Sequence, residues 1–203
     1  MNTLASAIRL HAEGFCLLPL LPSGKRPARR WKRLQTERPT ADELVEWFAR
    51  DDYEIGIVTG AISGITVIDC DSLDAAQACR IAGIDSPLTQ RTRRGIHLVY
   101  RHAGERNTVR VGGMAGVDRR GEGGYVRAYP DAAAWTRAAV EAAPLVPEAA
   151  REGGRQPEGR ERGKSESVGE CYIWDEAREA WRWDFEGHSL WFARETMEFV
   201  GSE

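Results

Sequence analysis

Two aspartates one residue apart, Asp69 and Asp71, are the side chains whose type and spacing most directly suggest chemistry. They end a β-branched run, residues 65–68, that is typical of a strand. Residues i and i+2 of a strand project from one face, roughly 6.5 to 7 Å apart. Two carboxylates on one face repel each other, so the pair needs either one protonated carboxyl or a cation between the two, and a divalent cation such as Mg²⁺ is the usual solution. The alternative interpretation is a strand end followed by a helix that Asp71 or Ser72 caps.

Two further polar residues lie on or beside predicted strands, His97 and Asp118. A third carboxylate beside the first two would complete an acidic cluster able to hold two Mg²⁺ or Mn²⁺ ions. That arrangement suits in-line displacement at phosphorus, where one metal activates the attacking hydroxyl and the other stabilises the leaving group. His97 and nearby arginines could then bind a triphosphate. The alternatives are a hydrogen-bonded core histidine for His97 and a turn aspartate for Asp118.

The elements that must position these residues follow from periodicity, caps and glycines. Helices are predicted over 3–13, over 40–48 after the capping box of Thr40 and Glu43, from Ser72 to about 83, and over 131–143 with Asp131 as the cap. Strands are predicted over 15–21, 55–59, 65–71, 96–101, 116–120 and 124–129, with 55–59 and 65–71 joined as a hairpin. In strand 96–101, the apolar face should meet the helices and leave His97 and Arg101 opposite. Helices interleaved with mostly hairpin-linked strands indicate an α+β fold.

The end of the chain differs in composition from the rest. Residues 151–169 are charged, Gly-rich and nearly free of apolar side chains, which predicts a flexible linker between residues 1–150 and an appendage, 170–203. The appendage holds four of the seven tryptophans, and its nine acids against three arginines give a net charge of −6. Its alternation predicts a hairpin, followed by a helix from Ser189 to about 200. Because such a charge repels phosphates, we expect it to pack on the body or on a protein partner.

Composition limits the class of protein. With 203 residues, 42% hydrophobic and 29% charged, the chain can form one medium domain with an appendage. The four cysteines show no CxxC spacing, so we expect buried, reduced thiols rather than zinc ligands or disulfides. Neither a signal peptide nor a membrane-spanning run is evident. We therefore expect a cytoplasmic protein.

Several short motifs together resemble the primase-polymerase (Prim-Pol) domain of the archaeo-eukaryotic primase superfamily, found in phage and plasmid replication proteins. The resemblance covers roughly residues 5 to 130. The motifs that carry it are Gly24-Lys25-x-Pro27 with Trp31, the Gly-Ile-Val-Thr-Gly run at 56–60, Val67-Ile68-Asp69-x-Asp71, Thr92-x-x-Gly95-x-His97, Val117-Asp118-x-Arg120-Gly121 and Gly123-Gly124-Tyr125-Val126. Each motif alone is weak, but as a set they are specific.

The resemblance implies an RRM-like catalytic sheet beside a smaller α/β module, with the active site in the cleft between them. Asp69, Asp71 and Asp118 then resemble the metal-binding and catalytic acids, and His97 the histidine that contacts nucleotide phosphate. Further phosphate contacts are expected from Arg93, Arg94, Arg101 and Arg120. Lys25 and Arg26 are interpreted as solvated loop residues, and His102 as a surface residue.

The function implied is a DNA primase/polymerase that makes and extends primers on a single-stranded DNA template, using dNTP or NTP substrates and Mg²⁺ or Mn²⁺. A bacterial host and a phage or plasmid gene are expected. Domains of this family are commonly joined to a helicase, so the resemblance implies a replicative helicase as a partner, in the same or another chain. No Gly-x4-Gly-Lys-Ser/Thr phosphate loop occurs in this sequence. The alternatives are a metal-dependent nuclease using the same acids and a non-catalytic replication-initiator module that binds DNA or nucleotide.

Overall fold

The computed structural model describes residues 3–22, 25–49 and 53–151, together with four later segments, 173–175, 180–185, 188–193 and 199–202. Residues Met1–Arg155 and Gln156–Glu203 form two compact units. In the described part of the first unit, the helices are α1 (Thr3–Ala12), α2 (Ala41–Phe48), α3 (Leu73–Ile81) and α4 (Arg137–Ala142). The strands are β1 (Cys16–Leu20), β2 (Glu54–Val58), β3 (Ile65–Cys70), β4 (Thr89–Arg91), β5 (Ile96–Arg101), β6 (Val117–Arg120) and β7 (Tyr125–Arg127). Helices and antiparallel sheets in one unit confirm the α+β class.

The first sheet has three antiparallel strands in the order β1-β2-β7. Apolar residues of α1, α2, β1 and β2 form its core, which includes the fully buried Phe15, Phe48 and Trp135. Helix α2 begins at the predicted capping box: Glu43 N–H donates to Thr40 Oγ1, and Thr40 N–H donates to Glu43 Oε2. These bonds satisfy two amides that the helix itself cannot pair.

The second sheet has four antiparallel strands in the order β4-β5-β3-β6. On one face, Ile68, Leu98 and Tyr100 pack with Ala75 and Cys79 of α3, as the alternation in strand 96–101 predicts. On the other face, residues such as Val67 and Val99 join the core of the first sheet. That second face therefore changes along β3, from apolar packing at Val67 to the polar residue Asp69.

The predicted hairpin between residues 55–59 and 65–71 is wrong. Strand β2 pairs with β1 and β7, whereas β3 pairs with β5 and β6, and only an isolated bridge between Gly60 and Ile65 joins them. Both Gly60 and Gly64 have positive φ, +94° and +72°. The loop between them takes the chain from one sheet to the other, because each strand has both of its edges occupied by other partners.

The helix predicted over 131–143 is also wrong in its first half. Pro130–Ala134 is a short 3-10 helix, and α4 begins only after Thr136, whose side chain accepts from Ala139 N–H. Between them, Trp135 is extended and fully buried against Phe15, with ring centroids 6.2 Å apart. Burial of this ring breaks the helical path that the alanine-rich sequence favours. Strand β4 is an element that the sequence did not predict.

The described part of the second unit is a four-stranded antiparallel sheet in the order β11-β10-β9-β8. Its strands are β8 (Ile173–Asp175), β9 (Ala180–Phe185), β10 (His188–Ala193) and β11 (Phe199–Ser202). The pairing of β8 with β9 agrees with the predicted hairpin. The helix from Ser189 is wrong, because Ser189 lies within β10, opposite Asp184 of β9. Residues 152–169 of the predicted linker lie outside the described residues.

Two further expectations concern the described residues. Cys16, Cys70 and Cys79 are buried and unbridged, while Cys171 lies outside the described residues. Burial raises the pKa of the Cys16 thiol to about 12, which keeps it protonated. Among the described helices, none has the length and apolar character required to cross a membrane.

Candidate active site

Four polar side chains form one row across the second sheet. Asp69 in β3 lies directly opposite His97 of β5 on one side and opposite Asp118 of β6 on the other. His97 in turn lies opposite Gln90 of β4. Directly opposed residues of antiparallel strands share a face, so all four side chains belong to the same face of the sheet. The strand register thus brings together three of the predicted site residues that are distant in sequence.

Asp69 is the centre of this row and is only 6% exposed. Its Oδ1 lies 3.3 Å from His97 Nε2, and its Oδ2 lies 3.7 Å from Lys25 Nζ. Burial alone would raise the pKa of this carboxyl, but the hydrogen bond and charge of His97, with Lys25 and Arg120, hold the pKa below its ordinary value. Asp69 is therefore an anion at neutral pH, in a place where anions are costly without a cation.

Asp71 follows the end of β3, and its side chain is half exposed. Its carboxylate Oδ1 lies 3.8 Å from the same Lys25 ammonium that faces Asp69, and its backbone N–H donates to Gly116 O. One cationic atom thus lies within 4 Å of both carboxylates, so the two side chains point the same way, as the i and i+2 spacing predicts. The two acids fit a divalent cation, because their oxygens already converge on a positive charge.

Asp118 is the predicted third acid, and its oxygens have other partners. Oδ1 accepts from Arg110 N–H at 3.2 Å, and Oδ2 forms an ion pair with Arg120 Nη2 at 2.7 Å. Across residues 3–151, apart from the gaps at 23–24 and 50–52, and in the later strands, no three His, Cys, Asp or Glu side chains form a group that could hold a metal. Asp118 would have to exchange Arg120 for a cation to join Asp69 and Asp71.

Gly95 sets the position of the turn that leads into β5. A Cβ atom built on Gly95 would lie 1.9 Å from Cys70 O and 2.9 Å from Asp71 C. Only a residue without a side chain allows this turn to approach the end of β3 so closely. The Thr92 hydroxyl accepts from the Gly95 amide and fixes the turn from within. The Thr92-x-x-Gly95-x-His97 spacing therefore places the turn beside the two acids.

The site opens into a cleft of about 300 Å³ whose lining comes from both sheets. Four residues predicted to contact phosphate are among the lining residues: His97, Arg93, Arg94 and Arg120. Arg101 is not: it lies at the other end of β5, opposite Ile65, so we leave it out of the proposed phosphate set. The other lining residues were not assigned to the site from the sequence. They are Lys25, Thr92, Asn107, Gly123, Gly124, Tyr125, Val126, Arg127 and Tyr129.

The sequence contained a signal for some of these residues and none for others. Lys25 is part of the Gly24-Lys25-x-Pro27 motif, and its side chain is exposed as expected, but its ammonium also contacts the acids. Gln90 had no signal, because β4 was not predicted. His102 was predicted at the surface and is not there: its side chain is 6% exposed, with Nε2 2.9 Å from Glu122 Oε1 and Nδ1 2.8 Å from Thr66 Oγ1.

A protein-family model matches most of the first unit. The family model described as bifunctional DNA primase/polymerase, N-terminal, matches residues 7–152, which include both sheets of the first unit and the whole cleft. The chain belongs to the Prim-Pol family. Prim-Pol domains are nucleotidyltransferases, so DNA and nucleotides are the expected substrate classes of this cleft. A comparison with curated protein sequences gave no match.

Proposed function

We propose that the protein is a DNA primase/polymerase that synthesises and extends primers on single-stranded DNA by two-metal nucleotidyl transfer. The observation that carries this proposal is the convergence of Asp69 and Asp71 on one cation, Lys25 Nζ, within a cleft that His97 and arginines also line. Carboxylates that bind a cation and cationic side chains that bind phosphate are the two requirements of phosphoryl-transfer chemistry.

Asp69 and Asp71 would hold the first Mg²⁺ or Mn²⁺, with Asp118 as the third ligand once its bond to Arg120 opens. When bound, such cations lower the pKa of the attacking 3′-hydroxyl and neutralise charge on the phosphates. Once Arg120 is released from Asp118, the Arg120 guanidinium would be available to the incoming triphosphate. The close ion pair at 2.7 Å therefore supports a coupled role for these two residues.

His97, Arg93 and Arg94 would orient the β- and γ-phosphates. Arg93 and Arg94 are exposed on the turn that Gly95 holds beside Asp71, whereas His97 is buried and fixed on both ring nitrogens. The primer 3′-oxygen then attacks the α-phosphorus, the bond to the bridging oxygen of the β-phosphate breaks, and pyrophosphate leaves. Positioned cations at the leaving phosphates stabilise the charge that develops on them.

The strand order supports an RRM-like description of the catalytic sheet, with the first sheet as the smaller α/β module. Strands β4-β5-β3-β6 are antiparallel, and α3 connects β3 to β4 on the face opposite the acids. In this arrangement the two central strands, β3 and β5, carry Asp69 and His97. Asp69 and His97 would then occupy the centre of the sheet, which favours precise positioning.

The template would pass along residues 25–33, beside the cleft. This segment contains six Lys or Arg residues and no acid. Within the described residues, Arg29 pairs with Glu46 and Arg33 with Glu43, whereas Arg26, Arg30 and Lys32 have no ionic partner. Trp31 packs edge-on against Tyr125 of the cleft wall, with centroids 5.0 Å apart. Exposed cations beside aromatic rings are typical of surfaces that bind single-stranded nucleic acid.

The test is a primer-synthesis assay with a single-stranded template, labelled nucleotides and Mg²⁺ or Mn²⁺. The wild type should form labelled primers and extend a supplied primer. The Asp69→Ala and Asp71→Ala variants should lose both activities and keep the fold by circular dichroism. Asp74→Ala is the matched control, because Asp74 is an exposed acid on α3, which covers the opposite face of the sheet. Full activity in the Asp69 and Asp71 variants would contradict the proposal.

The same incubation separates the two alternatives. A metal-dependent nuclease would degrade labelled DNA without added nucleotides, and the Asp69 variant would stop that degradation. An initiator module would retain DNA or nucleotide in a binding assay and yield no product. Addition of a replicative helicase would test the expected partner, since a functional pair should lengthen products on a partly duplex template.

A further inference from the structure

Gln90 is a fully buried polar side chain that the proposed chemistry does not yet use. It lies in the three-residue strand β4, directly opposite His97. A buried carboxamide is costly unless both of its ends are hydrogen-bonded. Both ends are bonded here: Oε1 lies 3.0 Å from His97 Nδ1, and Nε2 donates to Tyr129 O at 3.3 Å.

The partner at the far end decides which way the carboxamide points. Tyr129 O is a backbone carbonyl and can only accept, so the NH₂ group of Gln90 must face it. The Oε1 atom then faces His97 and can only accept as well. His97 Nδ1 must therefore carry a proton. The Tyr129 carbonyl thus orients the Gln90 carboxamide, and the carboxamide determines which ring nitrogen of His97 carries the proton.

We propose that Gln90 is a positioning residue that keeps the proton on His97 Nδ1 and presents His97 Nε2 to the cleft. The effect of Gln90 on nucleotide binding rests on the proposed function; its effect on the His97 ring does not. With Nδ1 committed, Nε2 is the ring atom that faces Asp69 Oδ1, at 3.3 Å.

The surroundings restrict the ring on more than one side. Tyr129, which accepts from Gln90, also places its own ring against His97, with centroids 6.1 Å apart and planes at 65°. The guanidinium of Arg127 lies 4.8 Å from the centre of that tyrosine ring. Tyr129 follows strand β7 of the first sheet, and Gln90 belongs to the second. The bond from Gln90 to Tyr129 O therefore links the second sheet to the segment after β7, and the bond from Gln90 to His97 fixes the ring relative to that segment.

The direct test is the protonation pattern of His97 in ¹⁵N-labelled protein, read from long-range ¹H–¹⁵N correlations at pH 8.5. The His97→Asn variant assigns the signals by their loss. We expect Nδ1 to be protonated in the wild type and in Gln90→Glu, which keeps an acceptor. In Gln90→Leu we expect Nδ1 to be bare, because Asp69 then holds the proton on Nε2. A bare Nδ1 in the wild type, or a Gln90→Leu spectrum like that of the wild type, would overturn the proposal.

Nucleotide kinetics supply the second readout. Gln90→Leu should raise the KM for nucleotide about tenfold, the effect of one misdirected hydrogen bond to a charged group. Gln90→Glu restores the acceptor for Nδ1 but places its second oxygen against Tyr129 O, so it should recover only part of that loss. Ser86→Ala is the control for loss of a buried polar group, because Ser86 bonds Val99 O and does not contact His97. A tautomer change with unaltered KM would overturn the positioning role. Inactivity of every protein, wild type included, would refute the proposed function and leave the spectroscopic result for Gln90 standing.

Discussion

Lys25 Nζ lies 3.7 Å from Asp69 Oδ2, between this buried carboxylate and that of Asp71. The lysine supplies the positive charge that the acid pair requires, and its own side chain is largely exposed. A divalent cation would have to compete with it for the same oxygens. The ammonium therefore acts as a counter-ion to both acids, and a divalent cation bound at the same oxygens would displace it.

The Lys25→Gln variant should accordingly bind Mn²⁺ more tightly than the wild type. Exposed ion pairs contribute up to about 1 kcal/mol, so the gain should be at most about fivefold in affinity. Titration followed by electron paramagnetic resonance measures the free Mn²⁺. Arg26→Gln serves as the control, because Arg26 neighbours Lys25 and forms no ion pair with the acids in the described structure. Weaker Mn²⁺ binding in Lys25→Gln would show that the lysine supports the metal instead of competing with it.

Gly95→Ala should destabilise the protein and impair nucleotide binding together. Its new Cβ would lie 1.9 Å from Cys70 O, so the turn or the end of β3 must move. Overpacking of this kind costs about 1 to 3 kcal/mol or more. Urea unfolding measures the loss, and nucleotide KM reports the displaced Arg93 and Arg94.

Gly83→Ala is a useful comparison, because a Cβ there meets no atom within 4 Å and only the positive φ of +73° resists it. We expect a smaller cost for Gly83→Ala, about 1 kcal/mol, with unchanged nucleotide KM. Equal effects of the two substitutions on unfolding and on KM would show that the close approach of Gly95 to β3 is unimportant.

These residues show what the sequence could predict. The pair Asp69 and Asp71 was predictable because a strand has period two, and His97 because its own strand alternates clearly. The partners of β2 were not predictable, since pairing depends on which strand edges remain free after the whole chain has folded. Gln90 lies in a strand of three residues, too short for any periodic signal. The contact of Lys25 with Asp69 joins a loop to a strand that is distant in sequence. Local sequence patterns do not predict such contacts.

Glu105 should make the stability of the first unit depend on pH. Burial would raise the pKa of its carboxyl, but bonds from the Ala103 and Glu105 amides and the Thr66 hydroxyl, with the charge of His102, lower the pKa below its ordinary value. A depressed folded-state pKa stabilises the folded protein above the unfolded-state pKa of about 4.3. That contribution is lost as the pH falls through the folded-state value.

The Glu105→Gln variant should therefore be less stable than the wild type by about 1 kcal/mol at pH 7, because the charge-assisted part of its hydrogen bonds is lost. The difference should become smaller as the pH falls from 5 to 3, because the carboxyl becomes protonated in the folded protein as well. Urea unfolding at pH 7, 5, 4 and 3 measures the trend. The exposed Glu141→Gln on α4 should change stability by less than about 0.5 kcal/mol throughout. A deficit that stays constant down to pH 3 would contradict the assignment.

The basic segment 25–33 should govern affinity for single-stranded DNA without affecting nucleotide binding. A combined Arg26→Gln, Arg30→Gln and Lys32→Gln variant removes three cations that have no ionic partner within the described residues. Each lost phosphate contact reduces the slope of log affinity against log salt by about 0.7, so the slope should fall by about 2. Fluorescence anisotropy of a labelled oligonucleotide at several salt concentrations measures it.

Arg80→Gln is the control for that measurement, because Arg80 is exposed in the last turn of α3, on the face of the sheet opposite the acids. The slope should then be that of the wild type. Nucleotide KM should be the same in all three proteins, since Lys25, Arg93, Arg94 and Arg120 are intact. If the triple variant keeps the wild-type slope, the template does not follow residues 25–33. If its nucleotide KM rises instead, these cations act on the triphosphate, and the DNA path must lie along another wall of the cleft.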